Sequence, residues 1–321
     1  MRRVVRSPYA QPQRTGALMR KGFTDQDVPN MTGQTVVVTG ANTGLGFEAA
    51  KVFAGRGAEV VVACRSEAKA EAAMEQIRQA HSSALLKYVP LDLGSLSSVK
   101  EAAQLINALP RLDLLINNAG IMIPPYELTA DGFESQFGVN HLGPFALTGL
   151  LLDKLNEGPA GRIVNTSSLA ANNGKFLFDD INAETGYNAM ERYSMSKLAN
   201  LVFSRELDKR LKASGSKCIS IACHPGIATT ELSRHFPWWV MFAAPFIVLL
   251  CNSPRQGAWP TLMAATDSSL QGGEYCGPSK RKQMAGPAIT VSQRPIDQME
   301  VDKLWDLSVE LTGVDYLRNA G

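Results

Sequence analysis

The sequence predicts an α/β protein with a doubly wound parallel sheet, folded as a single domain. Short Val-rich runs alternate with longer amphipathic stretches from Gln34 onward, and a glycine-rich turn separates the first run from the first stretch. No break resembles a domain linker and no internal repeat is present. With 321 residues, 45% of them hydrophobic and 19% charged, the chain can bury a substantial core.

The elements follow in order. "TVVVTG" (35–40) is a continuous apolar run of the kind a strand buried on both faces requires, and "FEAAKVFAGRG" after it reads as a helix. "EVVVACR" (59–65) and "AKAEAAMEQIRQA" repeat the pair. Further strands are read in "LKYVPLDL", "LDLLINNAG", "GRIVNTSS" and "KCISIACHPG", with helical stretches between them. Residues 1–30 place Arg2, Arg3, Arg6, Arg14, Arg20 and Lys21 ahead of the first acid at Asp25 and show no apolar period. They read as a flexible or loosely docked extension to a domain spanning 31–321, with a basic membrane-touching arm as the alternative. "FPWWVMFAAPFIVLLC" (236–251) is apolar throughout but carries Pro237 and Pro245 and is too short to cross a bilayer. The surrounding 231–256 region is read as a buried or subunit-contact segment, as a lid over an apolar pocket, or as a peripheral membrane contact. Trp238 and Trp239 within it fit a core or interface, with substrate contact as the alternative.

Charge and cysteine usage exclude several classes. The 32 basic and 30 acidic residues leave a net charge of +2, so no nucleic-acid partner is implied. The five cysteines, Cys64, Cys218, Cys223, Cys251 and Cys276, form no C-x-x-C pair, which fits a reduced, cytoplasmic chain and gives no metal site. The N-terminal arginines precede no long apolar core, so no signal peptide is expected. No segment reaches the roughly 18 to 20 apolar residues of a membrane span.

"TGANTGLG" (39–46) lies between a strand and a helix, the context of a dinucleotide-binding turn in a Rossmann-type fold. Gly40 allows a sharp turn off the strand, Gly44 a close backbone approach to a pyrophosphate, and Gly46 close helix packing, while the helix N-terminus attracts the anion. The next strand ends on Cys64 and Arg65, where an NAD site usually places an acid. With no carboxylate to repel a 2′-phosphate and a guanidinium to pair with it, NADP(H) is the expected cofactor.

"TGANTGLG", "LDL", "NNAG", "VNHLG", "GRIVNTSS", "YSMSK" and "HPG" occur in an order that resembles the short-chain dehydrogenases/reductases, from about Thr32 to the low 280s. "ACR", the long gap between Ser168 and Tyr193, and "SKLAN" resemble the branch containing retinol dehydrogenases, WW-domain-containing oxidoreductase and protochlorophyllide reductase. The resemblance implies catalytic roles for Asn140, Ser168, Tyr193 and Lys197, with Ser168 rather than Ser167 as the active serine. It implies that Asp92 contacts the adenine, that Asn117 opens the turn stabilising the central strand, and that Asn140 orders a water beside the lysine. It places Thr230 at the nicotinamide carboxamide. The full set expected to bind cofactor is Gly40, Asn42, Thr43, Gly44, Leu45, Gly46, Arg65, Asp92, Leu93, Asn118, Ala119, Gly120, Tyr193, Lys197, Pro225, Gly226 and Thr230. The segment between Ser168 and Tyr193 reads as a substrate-binding elaboration of unspecified shape.

Tyr193 and Lys197 are one helical turn apart. A phenol ordinarily titrates near ~10, and a neighbouring cation favours the phenolate, which suits a proton donor and acceptor at neutral pH. The expected reaction is hydride transfer between nicotinamide and a carbonyl or alcohol of a lipophilic small molecule, with Ser168 stabilising developing charge. Reduction of a carbon–carbon double bond, or a non-catalytic NADP-sensing role, are the alternatives. His224 in "HPG" is expected to be structural, because the proton-transfer role is already filled. Homo-oligomers are common in the family, but no residue here fixes an interface.

Overall fold

The computed structural model describes residues 22–227 and 252–317. An eight-stranded sheet has the order β3-β2-β1-β4-β5-β6-β7-β8. Its strands are β1 (Thr35–Thr39), β2 (Glu59–Cys64), β3 (Leu85–Pro90), β4 (Leu114–Asn117), β5 (Arg162–Thr166), β6 (Ile219–Cys223), β7 (Tyr275–Lys280) and β8 (Ala285–Thr290). All neighbours pair in parallel except β7 with β8. The chain order reverses between β1 and β4, and in open sheets of this kind the crevice beyond the strand ends at that point is where ligands bind.

The Val-rich runs form central strands because both sheet faces are covered. Val36 and Val38 of β1 enter one core cluster with Phe53, Ala50 and Ile77, whereas Val37 enters the opposite one with Leu115, Phe145 and Leu207. Helices α1 (Gly44–Gly55) and α2 (Glu67–Ala80) cover the first face. The second is covered by α3 (Leu96–Asn107), α5 (Gly143–Asn156) and α6 (Ala189–Ala213). A short turn, α4 (Ser135–Phe137), and a π turn (Gly138–Leu142) run directly into α5. A C-terminal helix, Gln298–Thr312, packs on α6, with the Arg210 guanidinium 4.1 Å from the Trp305 ring.

Two features depart from the sequence reading. The boundary of the N-terminal extension moves, since Gly22 to Asn30 are docked rather than loose. Phe23 exchanges two backbone hydrogen bonds of 2.8 Å with Ala288, and Asp25 accepts from Trp259 Nε1 at 2.8 Å and from Arg255 at 2.6 Å. Val28 and Met31 are buried in the core, an anchor too short to show periodicity. The sheet also continues past β6 into the β7–β8 hairpin, which the sequence reading did not assign. Pro278 and Pro287 break up the apolar pattern there, as is tolerated near a sheet edge. The apolar stretch 236–251, with Trp238 and Trp239, lies outside the described residues, as do residues 1–21. Among the described residues no helix is long and apolar enough to cross a membrane.

Candidate active site

The glycine turn sits where the strand order reverses. Gly40 has φ +66 and donates its N–H to Ala63 O at 2.8 Å, which a side chain would oppose both by backbone strain and by contact with Ala119. A Cβ on Gly46 would lie 2.6 Å from Gly40 O and 2.4 Å from Asn118 Nδ2, so the third glycine lets the helix start against the turn itself. Thr43 caps α1 with extended backbone and no side-chain hydrogen bond, and the first turn of α1 contains no acid. Unpaired amides at a helix start, with no carboxylate beside them, suit a pyrophosphate. Asn42 and Leu45 are half-buried and Thr43 is exposed at this mouth. The residues therefore fit a dinucleotide.

A buried threonine, which the sequence reading passed over, locks the crevice. Thr39 Oγ1 donates to Ile116 O (3.3 Å) and accepts from the N–H groups of Asn118 and Ala119 (both 3.0 Å). Asn118 Nδ2 returns a bond to Thr39 O at 2.9 Å, so this side chain joins β1 to β4. Asn117 lies beneath, donating to Thr148 Oγ1 (3.0 Å) and Asn165 Oδ1 (2.9 Å), bonds that tie β4 to α5 and to β5.

At the far end of the crevice, Arg65 follows β2 and its side chain is 82% exposed, with Asp92 Oδ2 3.8 Å away. Asp92 is held in place by Gly94 N–H, which donates to Oδ1 at 2.9 Å. Leu93 is buried in the core against α5 rather than open to the crevice. Pro225 and Gly226 follow β6 and are half-buried, Gly226 with φ +73. Thr230 lies outside the described residues.

The other cluster forms between β5 and α6. Ser167 is buried, and its hydroxyl donates to Lys197 O at 2.7 Å, which makes it a clamp between strand and helix. Ser168 is extended and half-exposed, and its Oγ accepts from Ala170 N–H at 3.2 Å, leaving its own proton to be donated. Lys197 is 5% exposed, donates from Nζ to Thr166 O at 3.3 Å, and lies 5.8 Å from the centre of the Tyr193 ring. Tyr193 itself is half-exposed. A Cβ on Gly120 would stand 3.1 Å from Lys197 Nζ and 2.9 Å from Asn140 Oδ1, so these two side chains converge on the glycine of "NNAG". Asn140 sits in the π turn, a form that recurs at functional sites. Its Nδ2 donates to Ser196 Oγ at 2.9 Å, and Ser196 donates to Tyr193 O at 2.8 Å.

The segment between Ser168 and Tyr193 is a docked structure with two 3-10 turns, Leu169–Asn173 and Phe178–Asp180. Arg192, the neighbour of Tyr193, holds it by bonds to Asp180 Oδ2 (3.0 Å) and Asp180 O (2.6 Å). Tyr275 was not singled out from the sequence. It donates to Ser168 O at 3.3 Å, and its ring packs 5.0 Å from that of His224. His224 is fully buried. Its Nδ1 accepts from Gly226 N–H at 3.2 Å, so Nε2 carries the proton and donates to Gln283 Oε1 at 3.2 Å. Burial holds its pKa down to about 4, a neutral structural role that agrees with expectation.

A glycine turn at the strand reversal and a Ser, Tyr and Lys cluster across the crevice define a class, the nicotinamide-dependent α/β oxidoreductases. The chain belongs to the short chain dehydrogenase family, whose profile matches residues 34–239. It is 42% identical to human retinol dehydrogenase 13 over 293 residues, covering 88% of this chain and 86% of that one. It is 40% identical to mouse retinol dehydrogenase 12 over 291 residues, covering 88% of each. An uncharacterised protein from Mycobacterium paratuberculosis superposes with a TM-score of 0.77 at 39% identity, over 92% of this chain and 99% of that one. The protein is accordingly an oxidoreductase acting on CH–OH or C=O groups.

His141 is also fully buried, with its pKa lowered to about 3 by desolvation. Both histidines bind protons less readily folded than unfolded. Their contribution to stability is complete above ~6.5, the unfolded value, and is lost as pH falls toward those lower values. Stability should fall across this window, with His224 accounting for up to about 3 kcal/mol by pH 4. Denaturant titrations at several pH values should show a shallower decline in His224→Asn than in the wild type. Parallel declines would remove His224 as a cause.

Proposed function

We propose that the protein is an NADP(H)-dependent alcohol dehydrogenase or carbonyl reductase acting on a lipophilic small molecule. The observation that carries this reading is the convergence of Lys197 and Asn140 on Gly120, with Tyr193 one helical turn from the lysine and Ser168 at the neighbouring strand end. Gly40, Asn42, Thr43, Gly44, Leu45 and Gly46 would hold the pyrophosphate end, and Ala119 and Gly120 would flank the nicotinamide half. Pro225 and Gly226 would close the far side. Asp92 would meet the adenine, with Leu93 behind it in the core, and Arg65 would meet the 2′-phosphate. When bound, the nicotinamide supplies or accepts the hydride.

The chain's own residues manage the proton and the charge. Tyr193 O–H donates to the substrate oxygen and transfers its proton as alkoxide character develops. Lys197 places a positive charge beside the phenol and favours its ionised form. Ser168 O–H donates a second hydrogen bond to the same oxygen, the kind of preorganised contact whose loss costs ~3 kcal/mol in comparable sites. In this reading Asn140 would order a water beside Lys197, through which the proton would be replenished.

The retinol dehydrogenases among the relatives, together with the half-buried apolar residues Ile121, Met122 and Ile123 beside the cluster, support an apolar alcohol or aldehyde as substrate. Among the described residues, Cys64, Cys218, Cys223 and Cys276 are buried as free thiols, which supports a reduced compartment.

Tyr193→Phe should lower turnover of an apolar aldehyde by at least ~100-fold. Its NADPH affinity, followed by fluorescence titration, should stay within about twofold, the phenolic proton being needed for transfer rather than for binding. Retained turnover would refute the role given to Tyr193. Arg65→Ala should weaken NADPH by roughly tenfold or more and leave NADH nearly unchanged, as expected for loss of a charge-assisted contact. Equal weakening of both nucleotides would contradict the 2′-phosphate contact.

A further inference from the structure

The chain leaving "NNAG" is pinned at three of the four residues from Ile121 to Pro124. Ile121 is held at both its N–H and its carbonyl by the Asn140 amide, at 2.7 and 2.9 Å. Ile123 N–H donates to Gln136 Oε1 at 3.0 Å. Pro124 O accepts from the Tyr187 hydroxyl at 2.8 Å. Gln136 completes the bridge through Nε2, which donates to Tyr187 Oη at 3.1 Å and to Ala189 O at 2.9 Å. Gln136 has no exposed surface, and the three side-chain bonds just described go to segments distant in sequence.

Ile123 has φ +54, a left-handed conformation that a β-branched residue adopts only under constraint. Such strain persists where the surroundings over-determine it and clusters beside functional sites. The constraint here is the Gln136 bridge. Gln136 and Asn140 are one helical turn apart and grip the same strap two residues apart. Ala189 opens α6, one turn before Tyr193, so the bridge also sets the strap against the helix that carries the phenol. Ile121, Met122 and Ile123 are only half-buried, so a rigid backbone presents three apolar side chains beside Asn140 and Gly120.

We infer that Gln136 is a positioning residue for the substrate wall, fixing Ile121, Met122 and Ile123 so that they discriminate among apolar substrates by shape. This rests on the active-site reading above. Gln136 touches neither substrate nor cofactor and acts through the strap. Without the bridge Ile123 relaxes toward an ordinary conformation, the wall loses its shape, and long substrates that depend on it bind less well. Short substrates that reach only the Ser168 and Tyr193 hydroxyls are unaffected.

The test uses the full-length protein and compares a short linear aldehyde with a long polyene aldehyde at saturating NADPH. Gln136→Leu should raise KM for the long aldehyde by about tenfold, the scale of one lost apolar contact set. It should leave kcat and KM for the short aldehyde and the NADPH affinity as in the wild type. Tyr187→Phe removes the hydroxyl that links Gln136 to Pro124 from a half-buried position, and should shift the ratio of the two KM values in the same direction. It decides the matter if Gln136→Leu fails to fold. An unchanged KM ratio in Tyr187→Phe, or equal losses on both aldehydes, would overturn the inference and reduce Gln136 to a core residue. With Tyr193→Phe inactive in parallel, that result would leave the active-site reading intact. Undiminished turnover in Tyr193→Phe, or none in the wild type, would overturn both.

Discussion

A lysine ammonium with only 5% of its surface exposed is the constraint around which the rest of this site is built. Removing a charge from water costs several kcal/mol unless polar groups receive it. Thr166 O accepts from Lys197 Nζ, and the absence of a side chain at Gly120 leaves the space beside it. Ser167 clamps the backbone carbonyl of the same lysine to β5. The helix is thereby tied to the strand end at both the main chain and the side chain of Lys197. Tyr193 and Ser168 inherit their positions from those two elements.

The two halves of the crevice meet in four consecutive residues. Asn118 and Ala119 hold the end of β1 through Thr39, which fixes the glycine turn. Gly120 backs onto Lys197 and Asn140, and Ile121 is gripped by Asn140. A displacement of this short stretch would move the pyrophosphate turn and the proton-transfer cluster relative to one another. The strained strap that follows extends the same rigidity outward toward the substrate side, where Gln136 joins it to the start of α6.

Local pattern made much of this legible in the sequence. Strands β1 and β2 are continuous Val runs because both faces are buried, and the glycines at 40, 44 and 46 answer to backbone geometry within a single turn. The choice of Ser168 over Ser167 rested on the resemblance; the bond from the Ser167 hydroxyl to Lys197 O has no local signal in the sequence. Long-range pairs escaped notice, since neither partner shows a local signal. Asp180 with Arg192, Tyr275 with Ser168, and Gln136 with Ile123 join residues whose sequence neighbours give no hint of the contact. The docking of Phe23 on Ala288 was hidden for the same reason, a single bridge in a polar stretch. The β7–β8 hairpin was obscured by Gly277, Pro278, Gly286 and Pro287, which interrupt the apolar alternation on which strand reading depends.

The ionisation of Tyr193 in the cofactor-bound protein tests the central claim most directly. An ultraviolet difference titration of tyrosinate, taken as wild type minus Tyr193→Phe, isolates this one phenol. If the buried ammonium tunes it, the phenol titrates below the ordinary value of ~10, and Lys197→Met moves it upward. A Tyr193 that titrates at the ordinary value, or that ignores the loss of Lys197, would contradict the account.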